Sequence, residues 1–150
     1  MYLYVLRHGK AGEGYPDEVR ELTDRGREDV GAVLSGCAEN MEPLKQILCS
    51  PLVRARQTAE IVANILRFDG DICENEHITP WGSPQEFLDS LDEGCRSALI
   101  ASHQPYASTL VEYLTGQSIA MRTSAIAAID MEYPSEGGGQ LLWYRDPKTD

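Results

Sequence analysis

Three short apolar runs, residues 1–6 (MYLYVL), Gln46–Cys49 (QILC) and Ser97–Ser102 (SALIAS), recur along this chain with helix-patterned sequence between them. Runs without strict apolar–polar alternation fit strands buried on both faces of a sheet. Parallel neighbours in such a sheet need long crossovers, and the segments between the runs are long enough to supply helical ones. The first run stops abruptly at Arg7-His8-Gly9 and the third at His103. In open α/β sheets ligands bind beyond the carboxyl ends of the strands, where these residues fall.

The intervening periodicities predict the helices. Thr23 is placed as an N-cap, and Val30, Val33, Leu34 and Cys37 recur at i, i+3, i+4 and i+7 of a helix ending near residues 36–40. Thr58, Ile61, Val62, Ile65 and Leu66 form the apolar stripe of a second helix over residues 52–66. Residues 72–78 alternate loosely, as an edge strand would, and Phe87, Leu88 and Leu91 suggest a short helix after Pro84. Pro105 fits the first turn of a further helix whose Leu110, Val111 and Leu114 face inward. Residues 125–133 and 140–144 read as a terminal hairpin across Glu136-Gly137-Gly138-Gly139. With no repeat and no linker, residues 1–150 are expected to form a single α/β domain. Its architecture is a three-layer sandwich with a mostly parallel central sheet and a C-terminal antiparallel hairpin.

The net charge of −11 makes nucleic acid and anionic membranes poor partners, because both would be repelled. No apolar run approaches the ~20 residues of a membrane span, and the amino terminus enters the first strand without a basic leader, so a cytoplasmic protein is expected. Cys37, Cys49, Cys73 and Cys95 lack CxxC pairs and are expected to be reduced, buried and structural rather than metal ligands. Against so acidic a background, a local concentration of arginine and histidine stands out.

Such a concentration is expected at three junctions. Arg7 and His8 follow the first strand, Ser50-Pro51-Leu52-Val53-Arg54-Ala55-Arg56-Gln57-Thr58 follows the second, and Ser102-His103-Gln104-Pro105 ends the third. If the strands are parallel, two imidazoles and at least two guanidiniums converge on one sheet edge. That set suits phosphoryl transfer through a covalent histidine. Arginine binds phosphoryl oxygens in a forked, bidentate geometry. A neutral imidazole is a competent nucleophile near pH 7, and neighbouring guanidiniums disfavour its protonation. With positive charge supplied by Arg and His, neither metal nor cofactor is called for.

Arg7-His8-Gly9 at the end of a first strand is also the mark of the histidine phosphatase superfamily, which this chain resembles. Leu22-Thr23-x-x-Gly26, Ser50-Pro51-Leu52-x-Arg54-Ala55-x-Gln57-Thr58-Ala59 and Ser102-His103-Gln104-Pro105 fall in the family's order and spacing, so the resemblance covers residues 1 to about 115. It implies that His8 is the phosphorylated nucleophile, that Arg7 and Arg54 clamp phosphate, and that His103 is the second histidine of the pocket. Short length and missing insertions are most similar to the SixA-type phosphohistidine phosphatases, which implies a phosphorylated protein as partner. Two departures are Lys10, where SixA-type enzymes often carry an acidic residue, and Ser102 in place of the usual glycine.

Other possibilities stay open on sequence grounds. The substrate could be a small phosphomonoester or nucleotide derivative, with one of Glu74, Glu76 or Glu86 (or nearby Asp89) as proton donor. A non-catalytic phosphate-binding or interaction module would keep the same fold. Arg56 and His77 are expected on solvated surfaces, Lys10 could steer an anion, and Gln104 could orient His103 or simply cap its helix. The oligomeric state is not legible.

Overall fold

A computed structural model describes residues 1–148. Six strands, β1 (Tyr2–Arg7), β2 (Gln46–Cys49), β3 (Ile72–Glu74), β4 (Ser97–Ser102), β5 (Ile126–Met131) and β6 (Gly139–Arg145), form one sheet in the order β3-β2-β4-β1-β5-β6. The pairs β3–β2, β2–β4 and β4–β1 are parallel. β5 returns antiparallel to β1, and β6 completes the antiparallel hairpin with an irregularity between Ala128 and Ile129.

Helices α1 (Asp24–Cys37) and α2 (Val53–Leu66) cover one face; α3 (Pro84–Ser90) and α4 (Tyr106–Thr115) cover the other. The pleat of β1 divides its side chains accordingly. Tyr4 and Leu6 pack with Val30, Val33 and Leu34 of α1 and Val62 of α2. Leu3 and Val5 pack with Phe87 and Leu88 of α3 and Leu110 and Leu114 of α4. Each strand of the centre is thus apolar on both sides, which is why β4 is buried at every position.

The cap expected for α1 is met in detail. Thr23 caps α1, its hydroxyl accepting the Gly26 N–H at 2.9 Å. Ser83 caps α3 in the same way, with Pro84 in the first turn. Pro105 stands one position before α4 rather than inside it. No helix among the described residues is long and apolar enough to cross a membrane.

Two expectations are corrected. The edge strand ends at Glu74 instead of continuing to residue 78, because the Asn75 side chain accepts the His77 N–H at 2.9 Å and turns the chain into a 3-10 segment, Glu76–Ile78. That turn drives Ile78 into the core, where it is fully buried. The cysteines are all free, but only Cys37 and Cys49 are buried; Cys95 is half-buried and Cys73 exposed. Cys73 lies on the short edge strand, where no neighbouring strand or helix covers its side.

Candidate active site

β1 and β4 run parallel with Arg7 opposite Ser102, so the next residue of each strand, His8 and His103, emerges at the same sheet edge. Their rings lie 4.9 Å apart between centroids, inclined at 57°. β2 flanks β4 on its other side and delivers Ser50 to the same edge, and α2 begins three residues later with Arg54 in its first turn. Arg7, His8, Arg54 and His103 are therefore brought together as the parallel topology requires.

His8 has a defined protonation state. Its Nδ1 lies 2.6 Å from the Gly9 carbonyl, which can only accept, so the ring proton sits on Nδ1. The Nε2 lone pair faces Arg54, whose Nε–H points to it at 3.4 Å. Burial, opposed by the Gly9 carbonyl and reinforced by the charges of Arg54, Arg7 and Arg20, pushes the His8 pKa down to about 4. His103 is pushed down to about 3, again mainly by burial, with His8 and Arg54 adding to the effect and Asp17 opposing it. Desolvation exceeds the guanidinium contribution that sequence reasoning put first. Both imidazoles are neutral at pH 7.

His103 Nε2 is 2.6 Å from the Ser50 hydroxyl, which also accepts the Leu52 N–H at 3.2 Å. Its Nδ1 is buried without a hydrogen-bond partner among the described residues. Arg7 donates from Nη1 to the Met121 carbonyl at 2.9 Å, and its Nε is likewise buried and unpartnered. Two buried nitrogens, Arg7 Nε and His103 Nδ1, thus remain at this edge without a partner among the described residues. Ser124 stands next to them with φ of 65°, a left-handed turn that lets its N–H reach the His8 carbonyl at 3.1 Å.

Close packing holds this arrangement. A Cβ at Gly9 would come within 2.8 Å of the Gly26 carbonyl oxygen, and one at Gly26 within 2.2 Å of the Lys10 carbonyl oxygen, so the chain leaving β1 touches α1 backbone to backbone. The Gly9 N–H donates to Thr58 Oγ1 at 3.2 Å, and Thr58 donates to the Arg54 carbonyl at 2.8 Å. Gln57 accepts the Leu22 N–H at 2.8 Å. Gln57 and Thr58 therefore tie α2 to the two loops around His8.

Asp17 is the functional neighbour that sequence reasoning missed. Arg54 donates to its carbonyl at 3.0 Å and to its Oδ2 at 3.1 Å, while Arg20 holds Oδ1 at 2.8 Å. The Arg20 hydrogen bond, with Arg54 adding to it, keeps the Asp17 carboxyl below its ordinary range. The other acidic candidates lie elsewhere. Glu76 and Glu86 flank His77 at 3.8 and 3.5 Å, and Asp89 accepts from Gln85. Among the described residues, none of these nor Glu74 forms a hydrogen bond or ion pair with the histidines or arginines of the site. Arg56 is half-buried and its Nη1 lies 3.9 Å from Cys49 Sγ, whereas Lys10 is exposed. Gln104 caps α4, accepting the Ser108 N–H at 2.9 Å.

Comparison with known proteins agrees with this geometry. Residues 3–75 match the family model of the histidine phosphatase superfamily (branch 1). The phosphohistidine phosphatase SixA of Escherichia coli (strain K12) is 30% identical over 154 residues, covering 98% of this chain and 94% of that protein. A phosphohistidine phosphatase SixA homolog of Haemophilus influenzae is 34% identical over 134 residues, covering 78% of this chain and 79% of that one. The solved structure of the protein histidine phosphatase SixA complexed with tungstate superposes with a TM-score of 0.86 at 29% identity, over 98% of this chain and 97% of that one.

Proposed function

The chain belongs to the histidine phosphatase superfamily and is a hydrolase of that type, and from this premise we propose that it removes phosphate from phosphohistidine on a protein, through a covalent intermediate on His8 and without a metal ion. The observation that carries the choice of substrate is the state of the carboxylates. Asp17, the one beside the pocket, is held ionised by two arginines and cannot give up a proton at neutral pH. Glu76 and Glu86 face His77. A serine or sugar alkoxide leaves poorly without a proton donor, whereas a phosphoimidazole protonated on its other ring nitrogen departs as neutral imidazole.

In the first step the His8 Nε2 lone pair attacks phosphorus, and the P–N bond of the substrate breaks with its electron pair passing to the departing imidazole. Phosphorylated His8 then carries a positive charge on its ring, which the Nδ1–H hydrogen bond to the Gly9 carbonyl disperses. Arg7 and Arg54 bind the equatorial oxygens, whose charge is what catalysis of this transfer has to stabilise. Ser50 sets the role of His103. Among the described residues its hydroxyl proton has no acceptor other than His103 Nε2, so it donates there, which leaves the ring proton on Nδ1 as the free donor. In the second step water attacks phosphorus, the P–N bond to His8 breaks, and Nε2 recovers its lone pair as inorganic phosphate leaves.

Asp17 acts here as a positioning residue, fixing the plane of the Arg54 guanidinium through two of its nitrogens. The tungstate bound by the SixA relative is a tetrahedral oxyanion, which supports an oxyanion site in this fold. Both helical layers pack on one sheet, at whose edge the four groups meet, which supports treating residues 1–150 as one catalytic domain. We place the reaction in the cytoplasm, in keeping with four cysteines free of disulfides.

The deciding assay follows turnover of a phosphohistidine peptide and of phosphoserine in EDTA. Hydrolysis of the first at a rate at least a hundredfold above the second is expected, an advantage of about 3 kcal/mol in the barrier. Equal rates, or a requirement for added metal, would overturn the proposal in favour of a small-phosphomonoester phosphatase or a metal-assisted one.

A further inference from the structure

Arg7 faces two places at once. Beyond the catalytic pocket it lines a separate open cavity of about 400 Å³, walled by Arg25 and Asp29 of α1, Arg122 and Thr123 before β5, and Lys148 after β6. These residues share the sheet edge that carries His8, because the amino end of β5 and the carboxyl end of β6 lie beside the carboxyl end of β1. The loop 121–125 ties cavity and pocket together rigidly. Met121 accepts from the Arg7 guanidinium, the Ala125 carbonyl accepts the Arg7 N–H at 2.9 Å, and the Ser124 N–H donates to His8.

The cavity is cationic in a strongly anionic protein. Four cations, Arg7, Arg25, Arg122 and Lys148, line it against one carboxylate, Asp29, which pairs with Arg25 at 3.2 Å. Asp146 approaches Arg122 at 3.8 Å beside it. Against a net charge of −11, which repels acidic ligands overall, this edge offers a local positive patch.

Building on the proposed function, we propose that this cavity is the docking site for carboxylates flanking the phosphohistidine of the substrate protein. Its cations come from four separate segments, β1, α1, the loop before β5 and the chain after β6, and the side chains of Arg25 and Arg122 are 75% and 57% exposed. That spacing suits several carboxylates on a partner's surface, whereas one small anion calls for donors converging on a point. A bound partner would span both places, its phosphoryl group at His8 and its acidic flank beyond Arg7. Complementary charge at the rim of an interface raises the association rate and orients the partner.

The test uses two synthetic phosphohistidine peptides, one flanked by Asp and Glu and one by Ser and Gln. Wild-type enzyme should show kcat/KM about tenfold higher for the acidic peptide at low salt, an advantage that shrinks as salt is added. R122Q and K148Q should each cut that ratio by about twofold to fivefold, as expected for single exposed ion pairs. The triple variant R25Q/R122Q/K148Q should bring it close to one, with kcat at saturation unchanged for both peptides. A wild-type ratio of one or below, or a ratio that survives in the triple variant, overturns the docking site alone. Hydrolysis of an aryl phosphate with no turnover of either peptide overturns the phosphohistidine assignment and the docking site with it. Cavity variants that weaken a small bisphosphate instead of the acidic peptide would make this a small-anion subsite and overturn the proposal.

Discussion

Replacing Ser50 by alanine isolates one step of the proposed chemistry, the control of which His103 nitrogen carries the proton. Ser50 is fully buried and bridges the Leu52 N–H to His103 Nε2. Its loss removes a hydrogen bond worth about 0.5–1.5 kcal/mol and strands a buried ring nitrogen at a cost of about 1–3 kcal/mol, so stability should fall by about 1–3 kcal/mol. The catalytic effect is smaller than deletion of His103. Losing a preorganised donor outright costs about a hundredfold to a thousandfold in rate. Losing only the bond that fixes the tautomer costs up to about 1.4 kcal/mol, or about tenfold. Kinetics on an aryl phosphate should therefore place Ser50→Ala about tenfold below wild type and His103→Ala further below. The double variant should match His103→Ala, because Ser50 acts only through that ring. Nitrogen-15 spectra of the wild-type ring should show Nδ1 protonated and Nε2 bare. A double variant slower by the product of both effects, or a ring protonated on Nε2, would refute the assignment.

His8→Ala should abolish turnover, and brief exposure of wild type to substrate should leave acid-labile phosphate on His8; turnover at the wild-type rate in the variant would end the covalent scheme. Arg54→Ala should lower kcat by about two to three orders of magnitude, with Arg54→Lys recovering only part, because an ammonium cannot fork across two oxygens; full recovery would argue against a bidentate clamp. Rates across leaving groups should fall steeply from phosphoimidazole and activated aryl phosphates to alkyl phosphates, and Glu74→Gln, Glu76→Gln and Glu86→Gln should change little; a flat dependence lost in one of these variants would identify a missed acid. His8 and His103 should not protonate between pH 8 and 5.5 in a nuclear magnetic resonance titration, since their values sit near 4 and 3. Because the unfolded chain takes up protons near the ordinary histidine value of about 6.5 while the native rings refuse them, stability should fall as pH drops through that window toward 4. A urea midpoint that stays level from pH 7 to 5 would contradict this.

What was legible in the sequence is what short-range pattern encodes. Apolar runs and helical periods located the strands and helices, Thr23 announced its cap, and strand ends marked where Arg7, His8 and His103 would meet. What escaped depends on contacts between residues far apart. Asp17 sits in a segment punctuated by Gly14 and Pro16 with nothing to advertise it, yet it meets Arg54 across 37 positions. Ser50 stood inside a recognised motif, but its partnership with His103, 53 positions away, is a product of β2 lying beside β4. Burial was also hidden, and with it the leading cause of both low histidine pKa values. The strand that begins at Ile72 stops at Glu74 because one Asn side chain, bonding two residues ahead, outweighed a weak alternation.

Several unfavourable features of this molecule are gathered at the edge where the proposed chemistry takes place. Two imidazoles are kept unprotonated beside two guanidiniums, the Arg7 Nε and His103 Nδ1 donors are buried without protein partners, and Ser124 is held left-handed. Each unpartnered buried donor costs about 1–3 kcal/mol, and a left-handed non-glycine residue adds about 1–2 kcal/mol. These costs are offset by the apolar layers packed on both faces of the sheet. An oxyanion in the pocket would satisfy the stranded donors and neutralise the crowded cations together. It follows that binding and folding are linked here. Orthophosphate or tungstate at a hundred times its dissociation constant should stabilise the native state by about 2.7 kcal/mol, and the same ion should gain little in a variant lacking Arg54. In the proposed mechanism the site is thus preorganised for the phosphoryl group at the expense of the empty protein, which is the condition for stabilising a charged transition state without rearrangement at the moment of transfer.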